Sequence, residues 1–315
     1  MDTKQIEYII KIADEKNITK AAEKLFITQS ALSQQLLKLE RELNTPLFIR
    51  NKAEWQPTPE GEIYLKNARE MLRIKQRTYT TISDMVNSKT GYLSVGLTPG
   101  RGPDMFTHVY PLFHDMYPEV TVTPMELSVR RQQAMIRRGE LDIGFMTLSS
   151  AQKTGDAYLD LFREELYLAV PDACAQALGL PEESEKDSEY PILSIETLRY
   201  EPFVLIYRQS TVRDMIDMIF REAGFSPSVL FETSSNATVL SMIESRLCCG
   251  ITPAHYASKK KEGIRFFRMP SHPTWQISVS YQKNAYLSKA AKQFIRLAMD
   301  YWKQEPQLTA LCQLK

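Results

Sequence analysis

The sequence predicts an all-α N-terminal part ending in one long helix, followed by a larger α/β part built as two lobes. Three observations carry this. Between Asn17 and Leu47, apolar residues recur at three- and four-residue steps, first at Ala22, Leu25 and Phe26, then at Leu32, Leu36, Leu39 and Leu43. That is one buried stripe on each of two short helices, with no room for a third element between them. From Leu65 to Val86 apolar positions recur every seven residues, the mark of a helix with an a/d seam. From Tyr92 to Thr252, strand-like and helix-like runs alternate twice over, the order of doubly wound sheets.

Length and composition agree with that division. A chain of 315 residues is too long for one ordinary domain and leaves each part enough apolar sequence for a core. No apolar run approaches the length of a membrane span, and Met1 to Lys11 lacks the apolar core and small-residue cleavage site of a secretory signal, so a cytoplasmic location is expected. Cys174, Cys248, Cys249 and Cys312 follow neither zinc-ligand spacing nor a secreted disulfide framework. Residues 1–90 hold 15 Lys plus Arg against 12 Asp plus Glu, a net of +3, and the remainder holds 24 against 26, a net of −2. Positive charge therefore collects in the N-terminal part, but weakly, so two copies would be needed for firm binding to a polyanion.

In chain order, Ile6, Ile9, Ile10 and Ala13 mark a first helix over Gln5 to Asp14. The paired alanines Ala21 and Ala22 allow a close helix crossing, and Thr19 and Thr28 are placed to cap the next two N-termini. This is a helix-turn-helix. Away from its leucines the second helix displays Gln29, Ser30, Ser33, Gln34, Gln35 and Lys38, polar groups long enough to reach base edges or phosphates. Phe48, Trp55, Pro57 and Pro59 then break helicity and suggest a short extended wing, on which Arg50 and Lys52 point toward phosphate and Trp55 packs. From Pro59 a long helix begins, with Glu60 and Glu62 in its first turn where the helix dipole favours carboxylates. Leu65, Leu72, Tyr79 and Val86, with Ala68, Lys75 and Ile82 three residues after the first three, form its seam, and a partner copy is the expected cover.

The run A-A-E-K-L, the run T-Q-S-A-L-S-Q-Q-L-L-K-L-E-R-E-L, P-L-F-I-R from Pro46 to Arg50 and P-T-P-E-G from Pro57 to Gly61 together resemble the N-terminus of LysR-type transcriptional regulators. Two positions depart from that pattern. Gln34 stands where arginine is usual, and Lys52-Ala53 where a second basic residue is often seen. The resemblance implies a winged helix-turn-helix over 1–58, a linker and dimerisation helix with hinge over 59–90, and an effector-binding domain over 91–315. It assigns contact with double-stranded DNA to Thr28, Gln29, Ser30, Ser33, Gln34, Lys38, Arg50 and Lys52. It also implies a homodimer through the linker helix, a homotetramer, and RNA polymerase as a further partner.

After the hinge at Asn87 to Gly91, strands are expected at Tyr92–Leu97, Val120–Leu127 and Leu141–Met146, with helices at Phe106–Tyr117 and Arg130–Arg138. Leu166 to Pro171 begins a crossing into a second half. There, strands at Phe203–Tyr207, Val229–Glu232 and Cys248–Thr252 alternate with helices at Val212–Ala223 and Ala237–Ser245. The chain returns through Ile264–Met269 and Trp275–Lys283 to a last helix, Lys289–Lys303. Two such lobes, with R-R-G-E-L-D-I-G-F-M and C-C-G-I-T-P, resemble the periplasmic-binding-protein-like effector domain of the same family, lobe I spanning 91–163 and 268–315 and lobe II 164–267. Ligands of such sheets sit at the carboxyl ends of strands. Those ends are Thr98, Pro99, Gly100 and Arg101, Ser128, Met146 and Thr147, Gln209, Ser210 and Thr211, and Ser234, Ser235 and Asn236, the first ten being the expected effector-binding set. Hydroxyls, helix N-termini and the Arg101 cation in that set point to a small anionic effector.

Catalysis finds little support. His108, His114, His255 and His272 are not paired as metal ligands, no G-x-S-x-G elbow occurs, and G-R-G at Gly100 to Gly102 matches neither dinucleotide nor Walker patterns. No cofactor or metal is expected. The competing reading is an enzyme or solute-binding protein that uses the two-lobed cleft, with the N-terminal region an accessory helical domain. The helix-turn-helix, wing and heptad seam in series speak against it.

Overall fold

A computed structural model describes residues 2–51, 54–86, 89–181, 190–258 and 262–303. Lys52 of the wing, Asn87 and Ser88 of the hinge, and Cys312 lie outside the described residues. The chain divides into two compact units, Met1–Gly91 and Tyr92–Lys315.

In the first unit α1 (Thr3–Glu15), α2 (Ile18–Lys24) and α3 (Gln29–Leu43) are followed by β1 (Phe48–Arg50), β2 (Trp55–Pro57) and α4 (Pro59–Met85). Ile9, Ile12, Ala21, Ala22, Leu32, Leu36, Leu39, Leu47, Phe48 and Leu65 form one core. Asn17, not Thr19, caps α2 by accepting from the Lys20 backbone N–H at 3.0 Å, because it is the last residue with extended backbone before the helix. Thr28 caps α3, accepting from the Ala31 N–H at 3.2 Å. Two residues of the expected stripes turn outward. Leu43 lies in the last turn of α3 and is exposed, and Phe26 follows α2 with a left-handed backbone, φ 55°, that sends its ring into solvent. The wing is an antiparallel pair, Phe48 opposite Pro57 and Arg50 opposite Trp55.

Helix α4 starts where Thr58 accepts from the Gly61 N–H at 3.0 Å and donates to the Pro46 carbonyl at 2.8 Å. Gly61 is required by close approach, since a Cβ there would stand 2.1 Å from the Leu47 carbonyl oxygen. The heptad seam divides in two. Leu65 and Ala68 are buried within their own unit, whereas Tyr79, Ile82 and Val86, flanked by Ile74 and Met85, are exposed. Lys75, the cationic position of the seam, pairs with Glu7 at 3.5 Å.

The second unit opens with β3 (Gly91–Leu97), α5 (Arg101–Met116), β4 (Val120–Glu126), α6 (Val129–Arg137) and β5 (Ile143–Leu148). Then comes β6 (Ala157–Pro171), followed by α7 (Asp172–Ala177), β7 (Pro202–Ile206), α8 (Thr211–Glu222), β8 (Ser228–Thr233) and α9 (Asn236–Glu244). It closes with β9 (Gly250–Pro253), α10 (His255–Ser258), β10 (Ile264–Phe267), β11 (Thr274–Tyr281) and α11 (Lys289–Lys303). One sheet runs in the order β10-β6-β11-β5-β3-β4, with β9 also on β6. Strands β7 and β8 pair in parallel, and Val204 and Cys249 join β7 to the residue ahead of β9. Helix α5 begins several residues before its expected start, because Gly100 turns the chain at φ 87° and Arg101 is already helical. Cys248 and Cys249 precede β9 and do not belong to it, and both are buried.

Two cores result. One packs α5 and α11 on β3, β5 and β11 through Phe113, Phe145, Phe294 and Trp302. The other packs α8 and α9 against β6, β7 and β9 through Phe203, Phe220, Leu240 and Ile243. Strand β6 serves both lobes, its Ala157 to Glu165 half pairing with β11 and its Leu166 to Pro171 half with β9 and β10.

Candidate functional site

On the first unit, the face of α3 opposite the leucines carries Gln29, Ser30, Gln34 and Lys38 exposed and Ser33 half-buried. The amphipathic pattern produces this directly, since Leu32, Leu36 and Leu39 take the inner face. Thr28 is engaged as the cap, and its hydroxyl lies 3.1 Å from that of Ser30, so the start of the helix is held by its own side chains. Arg50 is oriented by two neighbours. It pairs with the Glu40 carboxylate and lies 5.5 Å over the Trp55 ring. Glu40 is buried and also accepts from the Leu47 N–H at 2.9 Å, which fixes the wing to α3. Trp55 packs against the core and Phe48, as its place in the wing suggested.

In the second unit a cleft lies between the lobes, bounded by Thr98, Pro99, Ser128 and Thr147 on one side and Gln209, Ser210 and Thr211 on the other. Three of the expected residues do not line it. Met146 points to the opposite face of β5, into a small core with Val129, Ile136, Leu141 and Leu148, because neighbouring strand residues alternate. Gly100 supplies the turn into α5 and has no side chain to offer. Arg101 leaves the cleft altogether. It is buried, 4.7 Å over the Trp302 ring and 3.6 Å from Glu164, so it contributes no charge to the lining.

Helix starts from both lobes meet at this cleft. Ser128 precedes α6 and Ser210 precedes α8, and neither side chain caps its helix. First-turn N–H groups at such ends attract negative charge. The threonines are differently disposed. Thr98 donates to the Phe145 carbonyl at 3.0 Å and accepts from Gln132 Nε2 at 3.2 Å. Thr211 donates across the cleft to the Thr147 carbonyl at 2.7 Å. Gln152 adds two more cross-lobe bonds, to the Thr211 carbonyl at 3.1 Å and to Asp214 at 2.9 Å. The lobes therefore already touch, and the cavity is about 50 Å³, room for a few waters.

Beneath the cleft, Glu164 accepts from Trp275 Nε1 at 3.0 Å and from the His255 backbone N–H at 3.2 Å. Burial pushes its carboxyl up, while the Arg101 charge and these donors pull it down. Trp275, Tyr207, Ser234 and Asn236 are also in the wall. Sequence reasoning passed over Trp275 because it stands on the antiparallel strand β11, and over Tyr207 because it reads as the last residue of its strand although it already follows β7.

Residues 87–303 match the family described as the LysR substrate binding domain, and residues 3–62 match the bacterial regulatory helix-turn-helix proteins of the lysR family. The chain belongs to the LysR family. A LysR-type relative, the uncharacterized HTH-type transcriptional regulator YcgK of Bacillus subtilis (strain 168), is 28% identical over 96% of both chains. The HTH-type transcriptional regulator XapR of Escherichia coli (strain K12) is 26% identical over 84% of this chain and 86% of its own. Among solved structures, full-length CbnR complexed with its target DNA superposes with a TM-score of 0.67 at 22% identity, over 95% of this chain and 99% of that one, a likeness of fold. The protein is a LysR-type transcriptional regulator with an effector-binding domain, and not an enzyme. Among the described residues no helix is long and apolar enough to cross a membrane.

Proposed function

We propose that this regulator reads DNA with α3 and answers to a small anion bound between the lobes. The observation that carries the second half is the meeting of two helix starts, at Ser128 and Ser210, in a cleft whose lining side chains are uncharged. N–H groups and hydroxyls from opposite lobes favour a carboxylate or phosphate without a neighbouring cation. The role first expected of Arg101 passes to these helix ends. A ligand of more than a few heavy atoms exceeds about 50 Å³, so it separates Thr211 from Thr147 and sets a new spacing between lobes. The ligand's differential affinity for that spacing supplies the switching energy.

Gln29, Ser30, Ser33 and Gln34 make the base contacts in this reading, Thr28 and Lys38 flank them, and Arg50 meets phosphate. The exposed Tyr79, Ile82 and Val86 face of α4 is covered by a second copy in a dimer, and further contacts between effector domains make a tetramer. The site of action is the cytoplasm, where the operator lies.

The test is a thermal-shift panel of small carboxylates and phosphates, each beside its neutral amide or alcohol. A stabilising anion at about a hundred times its Kd adds about 2.7 kcal/mol. The Ser128→Ala, Ser210→Ala double variant should lose that shift and the reporter response while keeping operator affinity. Stabilisation by the neutral analogues alone would overturn the anionic reading.

A further inference from the structure

Phe26 is 96% exposed and has a backbone φ of 55°. Its N–H donates to the Glu23 carbonyl and the Ile27 N–H donates to the Ala22 carbonyl, both at 3.1 Å. Phe26 thus occupies the position just past a helix where the chain turns left-handed, a position that glycine or asparagine fills most easily. Among the described residues of the first unit, the two other non-glycine residues with this backbone are polar, Lys16 and Asn44. A bulky aromatic there is an outlier, and such strain persists where the residue has work to do. That work is not packing, since the domain core does not include Phe26.

Its place in the chain says what it meets. Gln29 is the first residue of α3, three positions on, and three residues of chain span at most about 11 Å. The major groove is about 12 Å wide. With Gln29 and Ser30 in the groove, the Phe26 ring is within reach of the duplex, whose apolar carbon is the thymine methyl group or the face of a deoxyribose. We propose that Phe26 is a DNA-contacting residue that packs its ring on this apolar carbon. The inference rests on the reading of α3 as the DNA-reading helix.

The experiment uses the full chain, with Phe26→Gly and Phe26→Leu, on its own promoter fragment and on fragments in which single thymines are replaced by deoxyuridine. Phe26→Gly should slow amide exchange across residues 18–43, because the turn is relaxed, while operator Kd rises on the order of tenfold. Phe26→Leu should restore most of the affinity. A thymine whose methyl group matters to the parent but not to Phe26→Gly identifies the methyl as the contact. An equal loss on every fragment identifies the sugar. Unchanged operator affinity in Phe26→Gly, or faster exchange across 18–43, overturns the proposal while the reading of α3 stands. A parent that binds no promoter fragment overturns that reading, and this proposal with it.

Discussion

Replacing Arg101 with methionine removes the charge that faces Glu164 while keeping much of the side chain's bulk. Both groups are buried, Arg101 at 4% exposure and Glu164 at 1%. They stand 3.6 Å apart, where an effective dielectric of ~20 gives an attraction of about 5 kcal/mol. Taking away one partner of a buried pair typically costs about 3–5 kcal/mol, because the other charge is left without compensation. Arg101→Met should therefore destabilise the effector-binding unit by about that much at neutral pH. The loss should depend on pH. Burial already raises the Glu164 carboxyl above its ordinary 4.5, and loss of the guanidinium raises it further. The folded variant then holds a proton that the unfolded chain releases. Its stability is greatest below the unfolded value, falls as pH rises through the raised folded value, and levels off above it. Urea unfolding at mildly acidic and mildly alkaline pH measures this, with Arg101→Met, Glu164→Gln as the compensated control. An Arg101→Met protein within about 1 kcal/mol of the parent at both pH values would refute the reasoning.

Three other outcomes are expected. Gly61→Ala sets a Cβ against the Leu47 carbonyl and should destabilise the N-terminal unit by about 3 kcal/mol or more; DNA binding should be lost while any effector-induced thermal shift persists. Gln34→Ala should relax base preference by about 1–3 kcal/mol at one position per half-site, read from Kd values over single-base operator variants. Tyr79→Asp with Ile82→Asp places two charges on the exposed face of α4 and should lower the mass found by light scattering, together with operator affinity; an unchanged mass would put the dimer contact elsewhere.

The elements were legible where periodicity was strong. The three-and-four spacing of Leu32, Leu36 and Leu39 dictates the inner face of α3, and the polar face follows by elimination. The strand ends were legible too, since seven of the ten residues first placed at the cleft line it. What failed was direction. Hydropathy counts Phe26 as apolar but does not register that the chain has left the helix there and turned left-handed. Arg101 follows a strand end as an anion-binding residue would, but its partners, Glu164 on β6 and Trp302 on α11, are remote in sequence and come together only in the fold. Likewise, the seven-residue repeat of α4 does not distinguish Leu65, which joins its own core, from Ile82, which does not.

Strand β6 runs unbroken from Ala157 to Pro171, hydrogen-bonded in one lobe over its first half and in the other over its second. A joint of this kind is a torsion bar, not a pivot. The ladder to β11 shifts register at Leu161, so twist between the lobes is taken up along this one strand and most readily at that bulge. The two lobes thus share one piece of backbone, and twist introduced at its Ala157 end is carried toward its Pro171 end.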